Sequence, residues 1–342
     1  MKKHLKTLVQ LIAGTGIAAA LLYLTFKDRS IADLFSVLNE ADIFWLMMGG
    51  LALFGVFFFR GLRWKLLLES AGHQVDSLNT VVSIFICYLV NSATPRLGEV
   101  ARCSVMLRTD KVPLPASFGT VITERAFDVI ILLAGVGLIF LFEFQRLKNL
   151  FTQMFEKIFG GLENSYGVMI IAGLIVVAMI AGGYYVLKKG KESKGIANKA
   201  YLFVFSMFQA AKSVFSLQKP WLFLFHTFNT WVCLILMNYF FILALPDTHD
   251  LGIYFAILIL FIGGIGWALP VPAGMGTTHF IVYQLFLAFG LQASAGQNIG
   301  FFSNGATLVF TVIYGIIGWI IFMVVVNRMN KNKNIPNPSL NS

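Results

Sequence analysis

Apolar runs long enough to cross a bilayer recur from Leu8 to Val326, and they constrain this chain more than any other feature of its sequence. A spanning helix needs about 20 mostly apolar residues, and a helix satisfies its own backbone in hydrocarbon where open structures cannot. Single crossings read as 8–26, 43–59, 116–142, 167–187, 220–245 and 298–326. Charged residues make up 12% of the 342, about half of the roughly 25% found in soluble domains. The fold class is therefore all-α integral membrane, with one transmembrane domain over 1–326, a polar tail over 327–342 and no soluble domain large enough for a separate activity.

Lys2, Lys3 and Lys6 precede the first run, in the manner of a signal peptide. The run is longer than a 7–15-residue signal core, and Ala18-Ala19-Ala20 lies in its middle. It is expected to stay as an uncleaved first helix.

Two stretches, 77–115 and 251–297, fit no single crossing. Each is apolar at both ends and broken in the middle by Pro, Gly and polar residues. Lys and Arg concentrate in cytoplasmic loops. That places the basic N-terminus, the segment Arg60 to Lys65, the Lys188–Lys199 cluster and the C-terminal tail inside. Loops 27–42, 143–166 and 246–250 hold 9 acids against 5 bases and belong outside. With those sides set, 77–115 begins and ends inside, whereas 251–297 begins and ends outside. Each is a hairpin, either re-entrant or of two short crossings. Broken segments entering from opposite faces are the pattern of inverted-repeat transporters. The expected location is the bacterial cytoplasmic (inner) membrane, multi-pass, with both termini cytoplasmic.

Segment 188–219 is different in kind, with apolar residues bounded by Lys199, Lys212 and Lys219. It reads as a basic cytoplasmic loop containing an interfacial helix, or as simple topology control. The formal charge of +10 is concentrated on one membrane side and does not argue for nucleic acid. Cys87, Cys103 and Cys233 have no metal-ligand spacing and read as packing residues, so neither metal nor cofactor is expected.

Three motifs carry the chemistry. At the break of the first hairpin, Arg96, Glu99 and Arg102 recur every three residues and form one stripe on a helix. Charges at membrane depth usually face a polar cavity or each other, and the guanidinium fork matches phosphate. Inside the run 116–142, Glu124 and Asp128 share a face and Arg125 reaches Asp128 at i+3. Two acids and one base leave a deficit of one positive charge, which Arg96 or Arg102 could supply; alternatively one acid is protonated, since burial disfavours a charged carboxylate. At the second break, Pro270, Pro272, Gly274 and Gly276 interrupt the helix, as Pro95 and Gly98 do in the first. A half-helix starting near Thr277 would point its positive end at the cavity, and His279 could hydrogen-bond a headgroup.

With these three motifs the chain resembles the lysylphosphatidylglycerol synthase transmembrane family, a flippase-like membrane domain, over about 8–326. The residues carrying the resemblance are Pro95, Arg96, Gly98, Glu99 and Arg102, then Glu124, Arg125 and Asp128. In the third motif Ala273 stands where the first of two paired glycines is usual, and His279 stands where an acid is usual. The full-length synthases add a soluble aminoacyl-transferase domain, and this chain is expected to represent the lipid-translocating half alone. The resemblance implies a flippase or transporter for a phospholipid or another polar-headed lipid. The headgroup would lie on Arg96, Arg102, Glu99 and His279, positioned by the Glu124/Arg125/Asp128 network. Membrane lipids, anionic ones foremost, are the expected partners, with a second copy of the chain or a separately encoded lipid-modifying enzyme as protein partner. Two other readings stand beside it: an enzyme acting on lipid-linked substrates, and a membrane subunit serving a glycosyltransferase or synthase.

Overall fold

The computed structural model describes residues 16, 19–27, 29–94, 97–146, 214, 217–268, 271 and 274–333. All regular structure among them is helical. The elements are α1 (Ile31–Glu40), α2 (Ile43–Ser70), α3 (Ser77–Ala93), α4 (Leu97–Thr109), α5 (Leu114–Phe142), α6 (Pro220–Leu243), α7 (Ile253–Ala268), α8 (Thr277–Ala288) and α9 (Ala293–Lys333). Residues 19–26 are helical as well. The expected crossing 167–187 and nearly all of the loop 188–219 lie outside the described residues.

Four helices, α2, α5, α6 and α9, are long and apolar enough to span a bilayer. The chain is thus a polytopic helical membrane protein. Their starts follow local chemistry. The Asp42 carboxylate accepts from the Phe44 N–H at the head of α2, and Pro115 occupies the first turn of α5, where a missing N–H costs nothing. Helix α2 does not stop at residue 59. Arg60 and Arg63, read from the sequence as the start of a cytoplasmic loop, continue the helix and are buried. The positive-inside rule counts charge without asking whether that charge has a partner inside the bundle.

Helix α6 packs along α2, and α3 is held between α2 and α9. Both hairpins fold back on themselves. In the first, the Asp76 N–H and Asn79 Nδ2 of α3 donate to the Asp110 carboxylate at the far end of α4, 2.9 and 3.0 Å away. At the tip, Asn91 Oδ1 accepts the Gly98 N–H at 2.9 Å. A Cβ at position 98 would run into the Cys87 carbonyl, so glycine is required there by close approach. In the second, Phe255 of α7 meets Phe286 and Phe289 at the open end, and Thr277 Oγ1 donates to the Gly266 carbonyl at 3.0 Å near the tip. Gly276 caps α8 with φ +79°, a left-handed conformation that glycine adopts without strain.

At 1.5 Å per residue, α4 and α8 extend only about 20 and 18 Å, short of the roughly 30 Å hydrocarbon core.

Candidate functional site

The chemistry concentrates where α2, α4 and α5 meet. Glu124 is fully buried and accepts from Arg63 Nη2 at 3.0 Å and Arg102 Nη1 at 2.7 Å. Asp128, one turn along α5, accepts from Arg60 Nη1 at 2.8 Å and Arg63 Nη1 at 2.7 Å. Arg63 thus bridges both carboxylates, which the i, i+4 spacing sets on one face. Arg102 also lies over the indole of Trp64, 4.6 Å from its centre, and Trp64 Nε1 in turn donates to Thr120 Oγ1. The last pair is Arg125 Nη2 with Glu99 Oε1 at 3.0 Å, joining α5 to the first turn of α4. Glu124 lies ten residues inside the start of α5, about 15 Å of helix, so these ions sit well within the spanning length. An isolated ion there would cost several kcal/mol, and the reciprocal pairing makes the arrangement tenable.

The network gathers four guanidinium groups, Arg60, Arg63, Arg102 and Arg125, around three carboxylates, Glu99, Glu124 and Asp128. One positive charge is left over among the described residues. Two of the arginines, Arg60 and Arg125, together with Glu99 and Asp128, face a cavity of about 510 Å³. Both hairpin tips border that same cavity, the first through Asn91 and Ser92, the second through Trp267, Val271 and Thr278. To the same lining α6 contributes Trp231 and Asn238, and α9 contributes Ser303, Asn304, Thr307 and Thr311. The volume falls within the roughly 300–1,000 Å³ of small-molecule sites.

The expected site residues divide accordingly. Glu99, Arg125 and Asp128 border the cavity. Arg102 and Glu124 do not: both are fully enclosed, and Arg102 supplies the charge that neutralises Glu124. Arg96, Pro95, Pro270 and Pro272 lie outside the described residues. His279 is buried away from the cavity lining, where Nδ1 accepts the Gly276 N–H at 3.3 Å and the ring meets Phe26 edge-on. It caps its own half-helix. Gly274 and Gly276 both take positive φ at the second break. The i+3 pair Arg125–Asp128 is not formed, because each finds a partner on another helix.

Arg60 and Arg63 were missed as site residues because their position at the end of an apolar run reads as topology. Ser303, Thr307 and Thr311 were missed because three hydroxyls are diluted in a long apolar run, although their spacing of four puts them on one face. Among the described residues no group of three or more His, Cys, Asp or Glu is placed to hold a metal ion.

A family profile described as the lysylphosphatidylglycerol synthase TM region matches residues 11–315. The chain is similar to glycosyltransferase AglD of Haloferax volcanii, 27% identical over 193 residues, which cover 51% of this chain and 30% of that protein. It is also similar to the UPF0104 membrane protein MJ1595 of Methanocaldococcus jannaschii, 20% identical over 286 residues, covering 79% of this chain and 82% of that one. The match thus spans less than a third of the glycosyltransferase. No solved structure matches.

Proposed function

Because the chain belongs to the lysylphosphatidylglycerol synthase transmembrane family, we propose that it transports a phospholipid or another polar-headed lipid across the cytoplasmic membrane. One observation carries this reading: a cavity bordered by the breaks of both hairpins, with Arg60 and Arg125 on its wall as part of an ionic network that holds four guanidinium groups against three carboxylates among the described residues. A headgroup phosphate is the membrane-resident anion that such a wall suits, since guanidinium offers phosphate a bidentate fork. The hairpins, entering from opposite faces as re-entrant elements of an inverted repeat, would alternate in opening the cavity to either side. In this reading the ligand contacts fall to Arg60, Arg125 and Glu99, with Arg102 positioning α4 through Glu124 and His279 shaping the second tip.

The test is movement of a fluorescent phospholipid between leaflets of vesicles containing the purified protein. Arg125→Gln removes a charge-assisted contact worth about 1.5–3 kcal/mol, so the rate should fall roughly tenfold or more while melting changes little. If wild type leaves the lipid where it started, the transport reading fails.

A second reading follows from the relative named a glycosyltransferase, in which a similar segment accompanies a longer chain. This chain would then serve as the membrane partner of a separately encoded lipid-modifying enzyme. Co-purification with such an enzyme, in vesicles where the chain alone moves no lipid, would favour that role.

A further inference from the structure

The charged side chains that line the cavity, Arg60, Arg125, Glu99 and Asp128, cancel one another. A phosphate-bearing anion, the ligand of the transport reading on which this step rests, gains a guanidinium there by replacing a carboxylate. The two carboxylates are not equally replaceable. Asp128 is held by two arginines, Arg60 at 2.8 Å and Arg63 at 2.7 Å. Glu99 is held by one, Arg125 at 3.0 Å, and both members of that pair are more open than Asp128. We infer that Glu99 changes partners when cargo arrives: the phosphate displaces it from Arg125, and Asn91 of α3 receives it.

Both sides of this hand-over are prepared. On the arginine, Nε and Nη2 form one edge of the guanidinium, which an anion with two free oxygens fits bidentately. Glu99 Oε1 occupies Nη2, while Arg125 Nε is buried without a partner. The edge is half used, so a phosphate can start on Nε before Glu99 leaves Nη2. On the receiving side, Asn91 Oδ1 accepts the Gly98 N–H at 2.9 Å, which holds the amide with Nδ2 toward Glu99. Asn91 Nδ2 stands 3.4 and 3.5 Å from the two carboxylate oxygens. A good bond is about 2.9 Å, so a shift of roughly half an ångström completes it. The other neighbour of Nδ2 is Cys87 Sγ at 3.8 Å, a weak acceptor that competes little. Glu99 also lies in the first turn of α4, where the helix N-terminus supports a negative charge. Its departure frees that turn from α5, while Arg102 on Glu124 keeps the rest of α4 in place. Asn91 is thus a positioning residue, and the loosening is confined to the tip.

The experiment uses the whole chain in a maltoside detergent, which contributes no phosphate. Phosphatidylglycerol is the probe, beside diacylglycerol of the same acyl chains and inorganic phosphate. Amide hydrogen exchange over Leu97–Ala101 should quicken when phosphatidylglycerol binds and stay as it was with diacylglycerol. Glu99→Gln removes the competing charge, so it should bind phosphatidylglycerol several-fold more tightly and lose that response. Asn91→Ala should weaken binding about two- to tenfold, the effect of one hydrogen bond. Combined with Glu99→Gln, the same change should cost less than about twofold, because the two residues act as a pair. Unaltered amide exchange in wild type with phosphatidylglycerol bound overturns the hand-over, whatever the variants do. So does equal affinity in wild type and Glu99→Gln, even where leaflet transfer in vesicles proceeds. An Asn91→Ala loss of one size in both backgrounds overturns the role of Asn91. The full response without leaflet transfer sustains the hand-over and defeats transport. An equal response to inorganic phosphate sustains it with free phosphate as the anion, and binding of neither probe overturns it together with the transport reading.

Discussion

The two hairpins have the same outline and are held together by different forces. The first, α3 and α4, is tied to its surroundings by ions: Arg102 reaches Glu124, and Glu99 reaches Arg125, both on α5. The second, α7 and α8, has no ion pair at its tip among the described residues. It is closed by Thr277 Oγ1 on the Gly266 and Gly274 carbonyls and by the Gly276 N–H on His279. An ionic tie is strong but all-or-none, because losing one partner leaves the other charged in a low-dielectric site. Ties through hydroxyls and backbone are individually weak and exchangeable. The difference suggests a division of labour, with the first hairpin a firm wall that presents charge and the second the more readily displaced element.

The largest expected effect breaks the firm side. Glu124→Gln leaves Arg63 and Arg102 without their shared carboxylate, and should destabilise the protein by about 3–5 kcal/mol. Asp128→Asn should approach that cost, since Arg60 and Arg63 both lose a partner. Thermal unfolding in detergent measures either. Wild-type stability in Glu124→Gln would mean that the cluster is hydrated and the hairpins are alike.

Close packing provides a matched pair. Gly98→Ala drives a methyl into the Cys87 carbonyl in the first hairpin, and Gly266→Ala drives one against the Thr278 backbone in the second, 2.8 Å from its nitrogen. Overpacking costs about 1–3 kcal/mol, because the neighbour must move. If the second hairpin is the softer one, Gly266→Ala should fall at the lower end of that range and Gly98→Ala at the upper. The reverse order, read by the same unfolding assay, would invert the assignment of firm and soft.

These contrasts mark how far the sequence is informative. The breaks were legible because Pro, Gly and charge interrupt apolar runs, and α4 begins at Leu97 and α8 at Thr277, where those interruptions end. Glu124, Arg125 and Asp128 were recognisable as a network from their burial in a spanning run. Arg102, which pairs with Glu124, was one of two candidates the sequence offered; Arg60 and Arg63 were not legible as partners, because pairing across 61 to 68 residues leaves no trace in local spacing. Arg125 could reach Asp128 on its own helix, yet Glu99 and the pair Arg60 and Arg63 take the two ends instead. Helix geometry limits which contacts can form, and tertiary packing chooses among them.

A smaller effect comes from Thr277→Val, which deletes the hydroxyl shared between the Gly266 and Gly274 carbonyls at 3.0 and 3.1 Å. The loss should be about 0.5–1.5 kcal/mol. Because it loosens the second tip alone, lipid transfer should change more than melting does. A loss as large as that of Glu124→Gln would show that the second tip is as rigid as the first.

The smallest stability effect should come from the more open of the two ionic ties that face the cavity. The Arg125 and Glu99 side chains keep 36% and 21% of their exposure, unlike the wholly enclosed Arg63 and Glu124. A pair this open contributes about 0.2–1 kcal/mol, so Glu99→Gln should melt within that margin of wild type. Asn91 Nδ2, 3.4–3.5 Å from both Glu99 oxygens, can still hold the amide in place. Charge changes more than stability does. Removing the carboxylate frees Arg125 and leaves the charges that line the cavity, Arg60, Arg125 and Asp128, with one positive charge in excess. An anionic headgroup should then bind several-fold more tightly and leave more slowly, so transfer falls while affinity rises. Titration with phosphatidylglycerol and leaflet transfer, measured on the same preparation, separate the two quantities. Affinity and transfer falling together would show that Glu99 positions the ligand. A melting loss comparable to Glu124→Gln would make the pair structural and would remove the distinction between a firm wall and an exchangeable one.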